Sequence, residues 1–191
     1  KIMSQIQNSS RQSDINKFFY RVSCLDFKKI PSTPIAYWVH QSVLDHFCND
    51  KKLEDISKPK QGATTSNNNR FLRQWYEISK NDFGINLSSL TAASESKKKW
   101  FPYNKGGEFR RWYGNQEFVI NYENDGREIK DFHEELNKTS PGGRLKNQNC
   151  YFKPSVSWSK ISSGTFAVRY FPQGFIFDVA GSAIFFDANE A

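Results

Sequence analysis

The amino-acid sequence predicts an α+β fold with mainly antiparallel strands. Apolar segments of strand length, separated by glycine- and asparagine-containing turns, fill much of the second half of the chain. Two or three other segments repeat apolar residues at helical spacing. The 17 Phe, 8 Tyr and 5 Trp among 191 residues supply enough bulky side chains for a core. We therefore expect one globular domain over residues 18–187, in one piece or as two packed lobes of about 18–95 and 96–187.

The first part of the chain combines both patterns. Residues 1–17 are polar and aperiodic, and 18–25 are predicted to form a strand. Ser32-Thr33-Pro34 is a hydroxyl cap followed by proline, which predicts a helix that runs to about Cys48. The apolar residues of this helix recur at helical spacing: Ile35, Trp38, Val39, Val43 and Phe47. Trp38, Val39, Val43 and Phe47 are expected in the core.

Turn-forming residues divide the middle of the chain. Leu53–Ile56 is predicted as a short strand, 58–69 as a loop, and 71–78 as a strand or short helix. Three aromatic segments then follow, with glycine and asparagine between them, and predict a β-meander: 100–103, 108–113 and 118–122.

One more helix and four strands complete the predicted fold. Asn124 or Asp125 can cap the helix, whose apolar side is formed by Ile129, Phe132, His133 and Leu136. The predicted strands lie at 151–158, 165–170, 175–179 and 183–186.

The cysteine count and the chain ends indicate the setting. Three cysteines at wide spacing do not suggest a disulfide framework, and no stretch has the length of an apolar membrane helix. No signal peptide opens the chain, so a cytoplasmic protein is predicted. Because the sequence begins at Lys1 and not with methionine, we expect a piece of a longer protein.

Signatures of catalysis are sparse. His40, His46 and Cys48 could meet at a metal, but their spacing fits no strong zinc pattern, and ordinary packing or surface positions are the better interpretation. No nucleophile triad, phosphate loop or glycine-rich dinucleotide turn is present. No catalytic, cofactor-binding or metal site is therefore predicted in this chain.

The charge distribution favours a polyanionic partner. The chain carries 27 Lys and Arg against 20 Asp and Glu, a net charge of +7. Between Leu136 and Phe177 there are basic residues and no acid, and between Lys51 and Lys80 bases outnumber acids. Solvated faces of an ordinary basic protein would give the same pattern.

Two loops mix basic, amide and aromatic side chains, the groups that contact base edges and phosphates in DNA. The first loop and its flank carry Lys58, Lys60, Thr65, Asn67, Asn68, Asn69, Arg70 and Arg73. The second carries Lys105, Arg110, Arg111, Trp112, Tyr113 and Asn115. We predict that five basic residues of the two loops converge on one DNA-binding face: Arg70, Arg73, Lys105, Arg110 and Arg111. Turn formation alone would also explain this composition.

At these residues the sequence resembles a known family. The stretches Asn68-Asn69-Arg70-Phe71-Leu72-Arg73 and KWFPYNKGGEFRRWYGN (99–115), with NYENDG (121–126) and GFIFDV (174–179), are similar to the PglX family, adenine-specific DNA methyltransferases of bacterial BREX phage-exclusion systems. The family usually has Thr-Gly-Asp-Asn where this chain has Thr65-Ser66-Asn67-Asn68. Serine adopts a positive φ at greater cost than glycine, so the change bears on the shape of the first loop.

The resemblance implies a DNA target-recognition region, like that of type II methyltransferases, which binds double-stranded DNA. The Asn-Pro-Pro-Tyr type motif and the S-adenosylmethionine loop of such enzymes do not occur in the sequence, so methyl transfer and its cofactor would belong to a missing N-terminal catalytic domain. Two alternatives stay open: a protein-interaction module that contacts other defence-system subunits through the aromatic 100–122 region, and a self-sufficient enzyme such as a nuclease.

Overall fold

The computed structural model describes residues 19–139, 142–162 and 164–186, which fall into two compact units, 1–52 and 53–191. The predicted polar segment 1–17 lies outside the described residues. The structure confirms the α+β class with mostly antiparallel strands. No helix in the described parts of the chain has the length and apolar character needed to span a bilayer.

The first unit contains two helices, α1 (Cys24–Phe27) and α2 (Gln41–Asn49). The strand predicted over 18–25 is wrong where the chain is described, because residues 19–23 are irregular and lead into α1. Ser23 and Asp26 form a reciprocal capping box, which satisfies free backbone N–H groups at the start of this helix.

The predicted start of the second helix and its buried stripe are also wrong. Ser32 and Thr33 have φ values of 67° and 47°, so they form a left-handed turn and cannot cap a helix. The helix begins after His40, whose Nδ1 accepts a hydrogen bond from the N–H of Ser42. Leu44 is the buried residue of α2, whereas three of the four predicted core residues are exposed: Trp38, Val43 and Phe47.

The second unit contains two sheets and several short helices. Its helices are α3 (Leu53–Ile56), α4 (Asn68–Phe71), α5 (Leu90–Glu95) and α6 (Glu123–Asn137), with 3₁₀ turns at Trp75–Glu77, Lys80–Asp82 and Gln148–Cys150. Its strands are β1 (Leu72–Gln74), β2 (Trp100–Asn104), β3 (Phe118–Asn121), β4 (Ser155–Trp158), β5 (Val168–Phe171), β6 (Ile176–Phe177) and β7 (Ala183–Ile184). The strand predicted at Leu53–Ile56 is therefore wrong, since this segment is helical.

Strand order explains how distant segments meet. The four-stranded sheet has the order β1-β3-β2-β6, antiparallel except for the parallel β2–β6 pair, and the three-stranded sheet has the antiparallel order β5-β4-β7. Because β1 and β3 come from opposite sides of residue 95 and pair directly, one sheet spans the lobe boundary expected there, and the compact units divide after Lys52 instead.

The predicted meander is confirmed in two of its three strands. β2 and β3 pair with each other directly, and residues 108–113 between them form no strand of this sheet. The middle segment instead makes one bridge, Trp112 with Arg169, to the edge of β5. Its aromatic composition resembles that of a strand, but its hydrogen-bonding partner lies far away in sequence.

An aromatic core joins the four-stranded sheet to α6 and to the residues before β4. Tyr122 and Tyr151 meet edge to face at 5.8 Å, and Tyr151 meets Phe177 at 5.7 Å. On α6, Ile129 and His133 are buried, as the helical spacing predicted. This core supports the sheet edge on which the candidate site lies.

Candidate nucleic-acid interface

The ends of three strands form the floor of the candidate site. Gln74 at the end of β1 is the register partner of Phe118 at the start of β3, and Phe118 is in turn the partner of Tyr103 on β2. The chain leaves β2 at Asn104, so Lys105 follows directly at this edge. The pairing therefore brings the ends of the two predicted loops to one side of one sheet.

Two open clefts adjoin at this edge and share Gln74 and Phe118. The first, of about 430 Å³, is lined by Asn68, Asn69, Leu72, Arg73, Gln74, Glu77, Lys105 and Phe118. The second, of about 270 Å³, is lined by Gln74, Gly106, Gly107, Glu108, Arg110, Asn115, Glu117 and Phe118. Residues of the first predicted loop and of the second thus border one continuous surface, which we call the paired cleft.

Three of the predicted basic residues line the paired cleft. Arg73 lies over the ring of Trp100 at 5.6 Å and donates from Nη1 to the carbonyls of Asn69 and Leu72, at 2.7 and 2.6 Å. Lys105 donates to the buried carboxylate of Asp178 at 2.6 Å. Each of these cations is therefore held in place by the fold.

Arg110 differs from Lys105, because it has no ion-pair partner among the described residues, and from Arg73, because no hydrogen bond holds its guanidinium there. Its side chain lies against Gly114, where an added Cβ would come within 2.4 Å of the Cδ of Arg110. Gly114 has φ 123°, a conformation that other residues rarely adopt. The glycine therefore leaves space for the stem of an arginine whose charge is free to meet a ligand.

Two further predicted basic residues lie outside the paired cleft. The guanidinium of Arg70 is bound to Glu128 on α6, with Nε and Nη2 both 2.9 Å from Oε1, and it packs over the ring of Phe71. Arg111 lies over the ring of Phe109 at 5.5 Å. The expected convergence of five basic side chains therefore takes in Arg73, Lys105 and Arg110 and leaves out these two.

Three predicted contact residues also stabilise the local structure. Asn67 caps α4 by accepting from the N–H of Arg70 at 3.1 Å, and buried Thr65 donates to Oδ1 of Asn68 at 2.5 Å. Asn115 is buried and donates to the carbonyl of Glu108 at 2.9 Å. Asn68 and Asn69 line the paired cleft. Tyr113 does not line it and is 70% exposed.

The beginning of the first loop is tied down. Lys60 exchanges two backbone hydrogen bonds with Ala183, and Ala63 bonds through its N–H and carbonyl to Phe177 and Val179. Residues 60–63 thereby connect the β6 segment to the β7 segment. Lys58 is exposed and Lys60 half-buried, and neither lines the paired cleft.

Ser66 adopts the conformation that the glycine of related sequences would favour. Its φ is 57°, in the left-handed region. A non-glycine residue there costs roughly 1 kcal/mol. The serine substitution is therefore accommodated by strain at one residue, and the turn that leads into α4 is left-handed.

Sequence reasoning missed several residues of the paired cleft. Gln74 and Phe118 join its two parts, and Glu77, Glu108 and Glu117 add negative charge to its wall. Oε2 of Glu77 accepts from the N–H of Gln74 at 2.6 Å, so this acid is partly engaged by the backbone. No sequence signal pointed to Gln74, because the predicted element over 71–78 runs past it, and the acids belong to no recognisable motif.

A buried polar network lies behind Lys105. One oxygen of Asp178 accepts from both Lys105 and the hydroxyl of Tyr103, at 2.6 and 2.7 Å, and the other accepts from the N–H of Ala180 at 2.6 Å. Burial and the neighbouring carboxylate raise the pKa of the Tyr103 phenol well above its usual value. The phenol therefore stays protonated and donates to Asp178.

The histidines considered as metal ligands have other contacts. His40 caps α2, and Nδ1 of His46 is 2.5 Å from Asp50. Within the described ranges, no three His, Cys, Asp or Glu side chains gather closely enough to hold a metal ion.

Comparison with known proteins relates the chain to two methyltransferases. It is 40% identical over 173 residues to the adenine-specific methyltransferase PglX of Lacticaseibacillus casei (strain Zhang), which covers 88% of this chain and 14% of the relative. It is 35% identical over 197 aligned residues to the adenine-specific methyltransferase BrxX of Escherichia coli O9:H4 (strain HS), which covers 99% of this chain and 15% of the relative. No family model matches the chain.

The chain spans about one seventh of the length of these relatives, since the matches cover 14% and 15% of them. The identities of 40% and 35% extend through both predicted loops and most of the described structure. The resemblance to the PglX family is therefore confirmed along nearly the whole chain, which corresponds to a segment of these adenine-specific methyltransferases.

Proposed function

We propose that this chain is the DNA-binding target-recognition segment of an adenine-specific (N6) DNA methyltransferase that serves a bacterial phage-defence system in the cytoplasm. The observation that carries the proposal is the paired cleft, which is lined by Arg73 from the first loop and by Lys105 and Arg110 from the second, although the two loops lie far apart in sequence. Two relatives named as adenine-specific methyltransferases support it.

The side chains of the paired cleft suit a duplex. Cations position the DNA backbone through phosphate contacts, and amides recognise the adenine edge through N6 and N7. In this proposal Asn68 and Asn69 read a base, Arg110 reads guanine or holds a phosphate, and Arg73 with Lys105 holds phosphates. All five side chains line the paired cleft. Glu77 lines the first cleft and Glu117 the second, and either carboxylate can accept a hydrogen bond from cytosine N4.

Methyl transfer is assigned to the remainder of such a protein. The chain contains no Pro-Pro dipeptide and no glycine-rich cofactor loop, which catalysis on a flipped adenine and S-adenosylmethionine binding require. The segment would dock on the duplex while an N-terminal catalytic domain, with S-adenosylmethionine, performs the reaction. Other subunits of the defence system are further partners in this proposal.

The test is a salt-dependent binding titration of the 191-residue chain with a labelled duplex. Arg110→Gln should weaken binding, and if Arg110 holds a phosphate the slope of log affinity against log salt should fall by about 0.9. If Arg110 reads a base, the loss should depend on the DNA sequence at one base pair, by roughly 1–3 kcal/mol.

Arg127→Gln is the matched control, because Arg127 is an exposed arginine on α6 outside the paired cleft. Equal weakening by both substitutions would mean that only net charge matters and would contradict the assigned surface. Absence of any duplex binding above that of a charge-matched protein would contradict DNA recognition and favour the protein-interaction alternative.

A further inference from the structure

Trp112 combines a strained backbone with an exposed side chain. Its φ is 69°, and the N–H of Tyr113 donates to the carbonyl of Arg111 at 2.8 Å, so Trp112 occupies the centre of a tight three-residue turn. Such a conformation costs on the order of 1–3 kcal/mol for a bulky residue. Trp112 is nevertheless 70% exposed, so it buries little area that would offset this cost.

The fold holds this strained turn from both sides. The N–H of Trp112 donates to the carbonyl of Val168 at 2.9 Å, and its carbonyl accepts from Tyr170 at 3.0 Å. Both partners belong to β5, so the backbone of Trp112 is fixed to a sheet edge. The exposed indole therefore projects from a backbone position that two hydrogen bonds hold in place.

A buried arginine adds a second anchor. Arg169 is 1% exposed, and its guanidinium donates to the carbonyl of Arg110 at 3.3 Å and to Oγ of Ser159 at 2.9 Å. Ser159 in turn donates to the carbonyl of Gly107 at 2.6 Å. Arg169 has no carboxylate partner among the described residues, and its Nε is buried without a hydrogen bond. The buried guanidinium of Arg169 thus holds the 107–113 backbone, directly and through Ser159.

The exposed tip has the composition of a nucleic-acid contact. Tyr113 is also 70% exposed, and neither its ring nor that of Trp112 contacts another aromatic ring in the described parts of the chain. Residues 109–116 contain two arginines and no acid. Aromatic rings next to cations are the combination that stacks on bases while neighbouring charges meet phosphates.

A second exposed Trp-Tyr pair in the same unit provides a comparison. Trp75 is 54% exposed and Tyr76 68%, but their rings pack on each other edge to face at 5.8 Å. Glu77 follows directly, and the N–H of Trp75 donates to the carbonyl of Glu117. This pair has an ordinary backbone conformation and an acidic setting, so exposure alone does not make it a candidate.

From this contrast we infer that Trp112 and Tyr113 form a stacking tip that packs against bases unstacked from the duplex. The inference rests on the proposed function, because an enzyme that methylates adenine must first extrude it and leave a base unpaired. Such wedges stabilise opened or bent DNA by replacing a lost base stack. Arg169 acts as a positioning residue for the tip.

The test compares the affinities of the 191-residue chain for a mixed-sequence duplex and for the same duplex with an internal unpaired bubble. The unaltered chain should prefer the bubble. Trp112→Ala with Tyr113→Ala should lower the affinity for the bubble by roughly 5- to 100-fold and that for the intact duplex by less than about 2-fold. Trp75→Ala with Tyr76→Ala should change neither affinity.

Each other outcome overturns the inference. Equal affinity of the unaltered chain for both substrates, an unchanged bubble preference in the Trp112 and Tyr113 variant, or the same loss in the Trp75 and Tyr76 variant would do so. No binding to either DNA would remove the proposed function as well. Because the Tyr113 side chain is exposed, Tyr113→Ala alone should keep the unfolding temperature and still reduce the preference, which separates stacking from misfolding.

Discussion

Lys105 and Asp178 connect the wall of the paired cleft to the interior of the second unit. The ammonium lies 2.6 Å from a carboxylate whose side chain is 1% exposed, while that of Lys105 is 27% exposed. Lys105 therefore neutralises a buried carboxylate and also lines the paired cleft. Its loss would lower stability in addition to any effect on binding.

Lys105→Met should lower the free energy of unfolding by about 3 kcal/mol, because it leaves a buried carboxylate without its counter-charge. Urea unfolding followed by tryptophan fluorescence measures the change. Lys58→Met, at an exposed position outside the paired cleft, is the control and should change stability by less than about 0.5 kcal/mol. A loss below about 1 kcal/mol at Lys105 would mean that Asp178 is satisfied by Tyr103 and Ala180 alone.

Arg169→Met should leave the free energy of unfolding within about 1 kcal/mol of the original value. Burial lowers the pKa of this guanidinium, and a similarly sized apolar side chain avoids its desolvation. The same change should speed amide hydrogen exchange at Trp112, since the neighbouring Arg110 carbonyl loses its anchor. A loss of several kcal/mol would instead assign Arg169 a mainly structural role.

Ser66→Gly should raise the free energy of unfolding by up to about 1 kcal/mol, because glycine adopts the φ of 57° without strain. Thermal unfolding provides the measurement. Ser88→Gly is the control, at an exposed serine that has no positive φ, and it should be neutral or destabilising through the added freedom of the unfolded chain. Destabilisation by Ser66→Gly would show that the serine side chain, not the strain, decides the energy of this turn.

His133 should make stability depend on pH. Burial lowers its pKa below the usual 6.5, and its Nε2 is buried without a partner. The unfolded chain therefore takes up the proton first, so stability should fall as pH drops below about 6.5 and stop falling once the folded protein is protonated too. Unfolding temperatures between pH 7.5 and pH 5 for the original chain and for His133→Phe provide the test. An equal decline in both would assign the effect to other groups.

Much of the second unit could be predicted because its patterns are local. The apolar side of α6, with buried Ile129 and His133, follows from spacing alone, and β2 and β3 follow from short apolar runs bounded by turns. The sequence predicted that the two loops share a face but not that they meet at a sheet edge. The β1–β3 register that brings them there joins residues distant in sequence.

The failures also have physical causes. The apolar spacing at 35–47 resembles a helix stripe, but two consecutive left-handed residues, Ser32 and Thr33, delay the helix. Tyr37 and Trp38 pack on each other at 4.9 Å instead of facing a core. The left-handed φ of Trp112 cannot be predicted from its residue type, because it depends on hydrogen bonds to β5. No sequence pattern indicates that these hydrogen bonds form.

The ties of residues 57–63 bear on how the chain reaches its folded state. Oγ of Ser57 bonds to the carbonyl of Phe185, 128 residues later, and Lys60 and Ala63 pair with residues 177–183. Closing so long a loop is entropically costly, and contacts between distant residues slow folding. During synthesis residues 57–63 can take their final position only after β6 and β7 have emerged, so the contacts before α4 form later than the pairing of β1, β2 and β3 can begin.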